Sequence, residues 1–240
     1  MLNIIIEGVD RSGKSTLSEQ LLETFDLHYK HFTADQATNN QEDIVLIPNV
    51  PVFFQYKNYL IDIEKQRMEA YHFNRKGFET DYNFLWDRFI YSDAVYGPIY
   101  KNFCRPIDRF EIAFIENLLK SINTCIIHCQ LEDEELNWNL ISDEGKNLMT
   151  RDELSYFRKA YRDILLESSL PVFHYDFTKH TFNDVKEWVL NHQNNYQRNP
   201  EEFMQYRNDI LTLYNNNLEQ FKHASFDLFM NMYISARSIV

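Results

Sequence analysis

The eight residues from Gly8 to Ser15 hold the chemistry most directly readable in this chain. Gly8 and Gly13 stand with four residues between them, and Lys14 and Ser15 follow at once, which fits G-x-x-x-x-G-K-[ST] in full. The glycines let the backbone turn so that its N–H groups converge on a phosphate chain. The lysine places a charge between the β- and γ-phosphates, and the serine hydroxyl suits Mg²⁺. Gly8, Asp10, Arg11, Ser12, Gly13, Lys14, Ser15 and Thr16 are therefore the expected ATP-binding residues. Arg11 lies inside the loop, where its guanidinium can reach a transferring phosphoryl group and neutralise charge on its equatorial oxygens.

A second group follows in "FLWDRFIYSDAVYG", residues 84–97. Asp87 ends an apolar run, at the C-terminal end of a strand, where open α/β sheets gather ligands. A carboxylate there can hold Mg²⁺ through water. Arg88 offers a planar fork suited to a phosphate on the acceptor. Phosphoryl transfer is the reaction class these two groups suit, with Arg11, Lys14, Asp87 and Arg88 as the catalytic candidates.

The elements that must position them read as alternating strands and helices. Apolar, β-branched runs at 2–7, 28–34, 83–86, 124–131 and 171–177 predict strands. Helical spacing predicts helices over 14–25, about 56–75, 106–122, 151–168 and 181–193. Residues 38–43 read as loop, and Pro98 limits the segment 92–100. The alternation predicts an α/β fold: a parallel sheet of about five strands covered by helices on both faces. Residues 191–202 read as a linker, followed by an aromatic-rich helical stretch over 201–236. The expected division is a domain at 1–193 and a helical extension at 194–240, packed on the core or on a partner subunit.

Composition narrows the partners. The net charge is −12, from 24 Lys+Arg against 36 Asp+Glu, which argues against a broad nucleic-acid footprint. No apolar run approaches a membrane span, and Leu2–Ile6 is too short for a signal peptide. Cys104, Cys125 and Cys129 form no C-x-x-C pair and favour a reducing, cytoplasmic setting. His28 and His31 flank Lys30, a candidate further cation, and complete no metal-ligand set. His128 sits in a core strand and is expected to be satisfied by a hydrogen bond. The acidic run Glu132–Glu135 reads as a helix start. Scarce glycine and many asparagines suggest an AT-rich coding sequence, virus- or phage-encoded and acting in a host cytoplasm.

"EGVDRSGKST" resembles the phosphate loop of thymidylate kinases, in the subclass that carries its catalytic arginine in that loop. This subclass needs no arginine in its flexible lid. Here the lid segment, 132–150, contains Lys146 as its one basic residue. "DRFIYS" is similar to the family's D-R-[YFH]-x-x-S, which implies that Ser92 and Tyr96 line the acceptor site. "YHFNRKG" (71–77) is similar to the family's "FSANR" in Asn74 and Arg75. That match implies Tyr71 stacked on a pyrimidine and Arg75 donating to a base carbonyl. By the same resemblance Asp10 contacts the acceptor's 3′-hydroxyl. The likeness spans residues 1–192 and implies the P-loop NTPase three-layer fold. It further implies transfer of the γ-phosphoryl of ATP to dTMP, Mg²⁺ held by Ser15 and Asp87 partly through water, and a homodimer. Aspartate at position 87, where deoxynucleoside kinases carry glutamate, favours a monophosphate acceptor. A deoxynucleoside kinase, a kinase acting on a modified pyrimidine in DNA and a non-catalytic ATP-binding module stand as the alternatives.

Overall fold

The computed structural model describes residues 2–33, 43–46, 51–72, 83–100, 107–142 and 149–196. The chain divides near residue 197, and the described residues belong to its first part. The extension expected at 194–240 lies outside them beyond residue 196, as does Cys104.

Six strands form one parallel sheet in the order β3-β2-β4-β1-β5-β6. They are β1 (Asn3–Glu7), β2 (His28–Thr33), β3 (Asp43–Val45), β4 (Phe84–Asp87), β5 (Thr124–Cys129) and β6 (Val172–Tyr175). About five were expected. The extra one is β3, three residues on the sheet edge, too short to show a period and beginning at Asp43, the last residue of the stretch read as loop. β1, β4 and β5 are buried along their whole length, as strands covered on two faces must be.

Alternation along β1 sends Ile4 and Ile6 to one face, into a core with Leu17 and Leu21 of α1 (Lys14–Thr24). Val185 and Val189 of α7 (Phe182–Asn195) complete that layer. Ile5 and Trp86 turn to the opposite face, where rings interlock. Phe32, Tyr56 and Phe89 lie at centroid distances of 4.5–5.0 Å, and Trp86 stacks on Phe89 at 5.2 Å. Such pairs add about 0.5–1.5 kcal/mol each beyond area burial, which gives the high aromatic content a structural role. Tyr56 belongs to α2 (Val52–His72) and its hydroxyl bonds Asp93 of α3 (Ile90–Tyr100), joining two helices of this layer.

Helix boundaries follow local chemistry. α4 (Arg109–Ser121), α6 (Arg151–Leu166) and α7 each begin with a reciprocal capping box, Asp108/Glu111, Thr150/Glu153 and Thr181/Asp184. α5 (Glu134–Ser142) starts in the acidic run, with Asp133 accepting from the Leu136 N–H. Three expectations need correction. α2 begins at Val52, earlier than about 56, because Pro51 suits a first turn and its carbonyl accepts from Phe54. α3 runs through Pro98 to Tyr100, and α7 extends to Asn195 into the stretch read as linker. Among the described residues no helix is long and apolar enough to cross a membrane.

Candidate active site

The chain after β1 turns back on itself before α1, and glycine is required at both bends. Gly8 adopts φ +143° and Gly13 φ +91°. A Cβ on Gly8 would collide with the main-chain oxygen of Cys129, and one on Gly13 would stand 2.9 Å from Phe177. Between them Arg11 is left-handed at φ +59°, a cost accepted by a non-glycine residue inside the loop. Ser12 donates to the Val9 carbonyl at 2.7 Å and stiffens the turn. The N-terminus of α1 then points its free N–H groups into the loop.

β4 ends beside β1, with Ile6 in register with Asp87. The next residue, Arg88, is also left-handed (φ +61°), and its N–H donates to the Ile6 carbonyl at 3.0 Å. Adjacent strands thus deliver the loop and the Asp87–Arg88 pair to one crevice at their carboxyl ends, where connections leave in different directions. A cleft of about 610 Å³ opens there. Asp10, Arg11, Lys14, Ser15, Asp87 and Arg88 all line it.

Lys14 is buried and its ammonium donates to the carbonyls of Gly8 (2.9 Å) and Val9 (2.7 Å). Burial lowers its pKa, Arg88 adds to the effect, and Asp10 and Asp87 oppose it. Arg88 pairs with Asp10 across the cleft and lies over the Tyr96 ring at 5.4 Å. Burial works against the Arg88 charge, but Asp10, with Tyr96, Tyr161 and Asp87 adding to it, outweighs burial and the pKa is raised. Burial likewise opposes ionisation of Asp10, while Arg88 and Lys14 together hold its carboxyl below the ordinary value. The result is a charged, half-shielded bracket joining the loop to β4.

Asp87 is held by a residue that sequence reading overlooked. Tyr29 of β2 donates its hydroxyl to Asp87 Oδ2 at 2.9 Å. The other oxygen, Oδ1, is buried with no hydrogen-bond partner among the described residues. An orphaned carboxylate oxygen and the exposed Ser15, whose residues line one cleft, are a donor set suited to Mg²⁺, which takes few protein oxygens and completes its shell with water and phosphate. Among the described residues no group of three or more His, Cys, Asp or Glu forms a cage for a metal. Tyr29→Phe leaves both Asp87 oxygens without a hydrogen-bond partner among the described residues. It is expected to weaken Mg²⁺ binding in the presence of ATP by about 10-fold, as loss of an orienting partner typically does. An unchanged Mg²⁺ titration would remove Tyr29 from this role.

Strand alternation decides which of the β2 candidates reaches the site. His31 is in register with Asp87 and lines the cleft with Tyr29, whereas Lys30 is in register with Trp86 and points to the other face. Leu140 and Phe177 also line the cleft and were not anticipated. Phe177 is the second residue after β6 and was legible only as a strand-end residue.

Two expected acceptor-side residues sit beneath the cleft. Ser92 is 3% exposed and does not line it; its hydroxyl donates to Glu7 at 2.5 Å. The first turn of α3 aims this side chain inward, toward a buried charge. Tyr96 is 6% exposed and takes part through its ring under Arg88. Tyr71 lies in the last turn of α2, and its side chain and Arg75 fall outside the described residues. Glu7 was missed altogether. It is fully buried and accepts from the Phe89 N–H (2.7 Å), the Ser92 N–H and hydroxyl, and the Tyr161 hydroxyl (3.2 Å). Burial raises its pKa to about 7 against these bonds. A charged residue closing the run "NIIIE" was the available signal.

No protein-family model and no curated protein matches the chain. Among solved structures, the YorR protein of Bacillus subtilis, in complex with phosphorylated GDP, is similar at TM-score 0.58 and 16% identity, over 81% of this chain and 99% of that one. Deoxyadenosine kinase from M. mycoides with bound dCTP is similar at TM-score 0.44 and 18% identity, over 81% and 100%. Thymidylate kinase from Candida albicans is similar at TM-score 0.37 and 21% identity, over 80% and 92%. The likeness to YorR places the chain in a shared α/β P-loop fold, as the strand order and the loop already imply. The two weaker likenesses add nothing to that.

Proposed function

We propose that this chain transfers the γ-phosphoryl group of ATP to a small nucleotide, a pyrimidine deoxynucleoside monophosphate and dTMP first of all. The observation that carries the reading is the content of one cleft: three cations, Arg11, Lys14 and Arg88, and two carboxylates, Asp10 and Asp87, line it together at the ends of β1 and β4. Two anionic substrates that must approach each other need such a concentration of positive charge.

In this reading the loop N–H groups and Lys14 hold the β- and γ-phosphates. Lys14 exchanges its bonds to the Gly8 and Val9 carbonyls for phosphate oxygens. Arg88 exchanges part of its pairing with Asp10 for the acceptor phosphate, and Asp10 is then released toward the sugar. An acceptor phosphate oxygen forms the new bond to the γ-phosphorus as the bond to the β,γ-bridging oxygen breaks, and ADP leaves. Arg11 neutralises the charge on the group in flight. Ser15 and Asp87 would hold Mg²⁺, which supplies charge neutralisation at the β- and γ-phosphates. A monophosphate acceptor needs cations rather than a strong base, and the cleft is built accordingly. A homodimer and a cytoplasmic setting belong to the same proposal.

The test measures ADP release with a panel of nucleosides, nucleoside monophosphates and single-stranded DNA as acceptors. Highest kcat/KM with dTMP is the expected result. Preference for thymidine would convert the reading to a nucleoside kinase. ATP binding with no turnover on any acceptor would reduce the chain to a binding module.

A further inference from the structure

A chain of hydrogen bonds runs from α6, through α5, into the main chain of the phosphate loop. Asn137 of α5 is fully buried. Its Nδ2 donates to the main-chain carbonyl of Asp10 at 3.2 Å, and its Oδ1 accepts from Arg158 Nη1 at 3.2 Å. Arg158 can only donate and a carbonyl can only accept, so the amide has one workable orientation. Arg158 itself is 4% exposed. Its Nη2 donates to the Glu132 carbonyl at 3.1 Å, and its Nε faces the Glu134 carboxylate at 3.5 Å. One guanidinium thus grips the start of α5 and orients the amide that reaches the loop. Neither side chain lines the cleft.

The carbonyl of Asp10 shares a peptide plane with the N–H of Arg11. Turning that plane changes φ of Arg11, which is held at +59°. A non-glycine residue in this region costs of order 1 kcal/mol and relaxes unless its neighbours over-determine it. The Asn137 bond is a restraint of that kind, and it reaches the loop from outside. The same residue whose carbonyl it holds, Asp10, pairs with Arg88 through its side chain.

We propose that Asn137, oriented by Arg158, is a positioning residue that locks the phosphate-loop backbone and so aims Arg11. This inference rests on the phosphoryl-transfer reading for its catalytic consequence, though not for the backbone restraint itself. A simple packing role predicts something different. If Asn137 only anchors α5 to α6, its Oδ1 suffices. If it positions the loop, its Nδ2–H is indispensable.

Asn137→Asp separates the two, since it keeps an acceptor for Arg158 and removes the donor to Asp10. Amide hydrogen exchange over residues 8–13, read by mass spectrometry, is expected to quicken about 10-fold in this variant while exchange over α4 stays near the parent rate. Acceptor-dependent kcat is expected to fall about 10- to 100-fold with KM for ATP changed less than about three-fold, as small misplacement of a reacting group does. Asn139→Ala, an exposed neighbour on the same helix, should match the parent in each measurement. Asn137→Ala, which loses the grip on Arg158 as well, should also lower the thermal midpoint. Unchanged exchange over 8–13 in Asn137→Asp overturns the proposal whatever the activity. Quickened exchange with parental kcat overturns its catalytic half. If the parent chain phosphorylates no acceptor, the exchange measurement still decides the restraint, while the functional reading fails by itself.

Discussion

Arg11→Ala is expected to turn over about 10³-fold more slowly than the parent chain, with ATP affinity altered far less, because an oriented arginine at a transferring phosphoryl group contributes at this scale. The expectation rests on geometry as well as on residue type. Arg11 lines the same cleft as Lys14, Ser15, Asp87 and Arg88, and its backbone is held in a left-handed conformation that turns the side chain out of the strand direction. Alanine keeps the loop's N–H cradle and Lys14, so ground-state binding persists while charge stabilisation in flight is lost. Single-turnover ADP formation with saturating ATP and dTMP measures the step. A variant within about three-fold of the parent would take Arg11 out of the mechanism.

The second large effect concerns stability. Glu7 is buried among the Phe89 and Ser92 N–H groups and the hydroxyls of Ser92 and Tyr161, with the Arg88 charge favouring its ionised form. Its pKa is raised from 4.5 to about 7, burial being the principal cause. Between these values the folded chain keeps a proton that the unfolded chain has released. Its contribution is therefore fully present below pH 4.5, declines as the pH rises through about 7, and is flat beyond. The size is about 3 kcal/mol at 1.36 kcal/mol per unit of pKa. Glu7→Gln abolishes this titration. It also lowers stability at every pH, since an amide nitrogen meets donors where a carboxylate oxygen accepted. Urea unfolding of parent and variant at pH 4.5, 6 and 8 isolates the residue. The parent-minus-variant difference is expected to shrink by about 3 kcal/mol across that range. A difference that does not change with pH would show that Glu7 titrates at an ordinary value.

Features set by local sequence could be read in advance. The phosphate loop, the strand before it and the helix after it depend on contiguous residues, and they stand where expected. Asp87 and Arg88 were legible because an apolar strand ends there. β3 was not, because three edge residues carry no period. Helical propensity misjudged α3, where packing of α3 against its neighbours carries the helix past a proline that should have limited it. Ser92 shows how motif spacing can mislead: the position is right, yet a buried Glu7 82–85 residues distant from its partners claims the hydroxyl. Tyr29 and Asn137 were invisible for the same reason. Their partners, Asp87 and Asp10, are 58 and 127 residues away, so only the folded chain brings them together.

Two of the loop-forming arginines, at positions 11 and 88, occupy backbone conformations that glycine would adopt at no cost. Directed evolution under heat alone would accordingly drift toward glycine at position 11, whereas the pairing with Asp10 retains Arg88. Survivors of such a screen would be hardier and inert, so any thermotolerant library built on this scaffold should be passed through a turnover assay at each round.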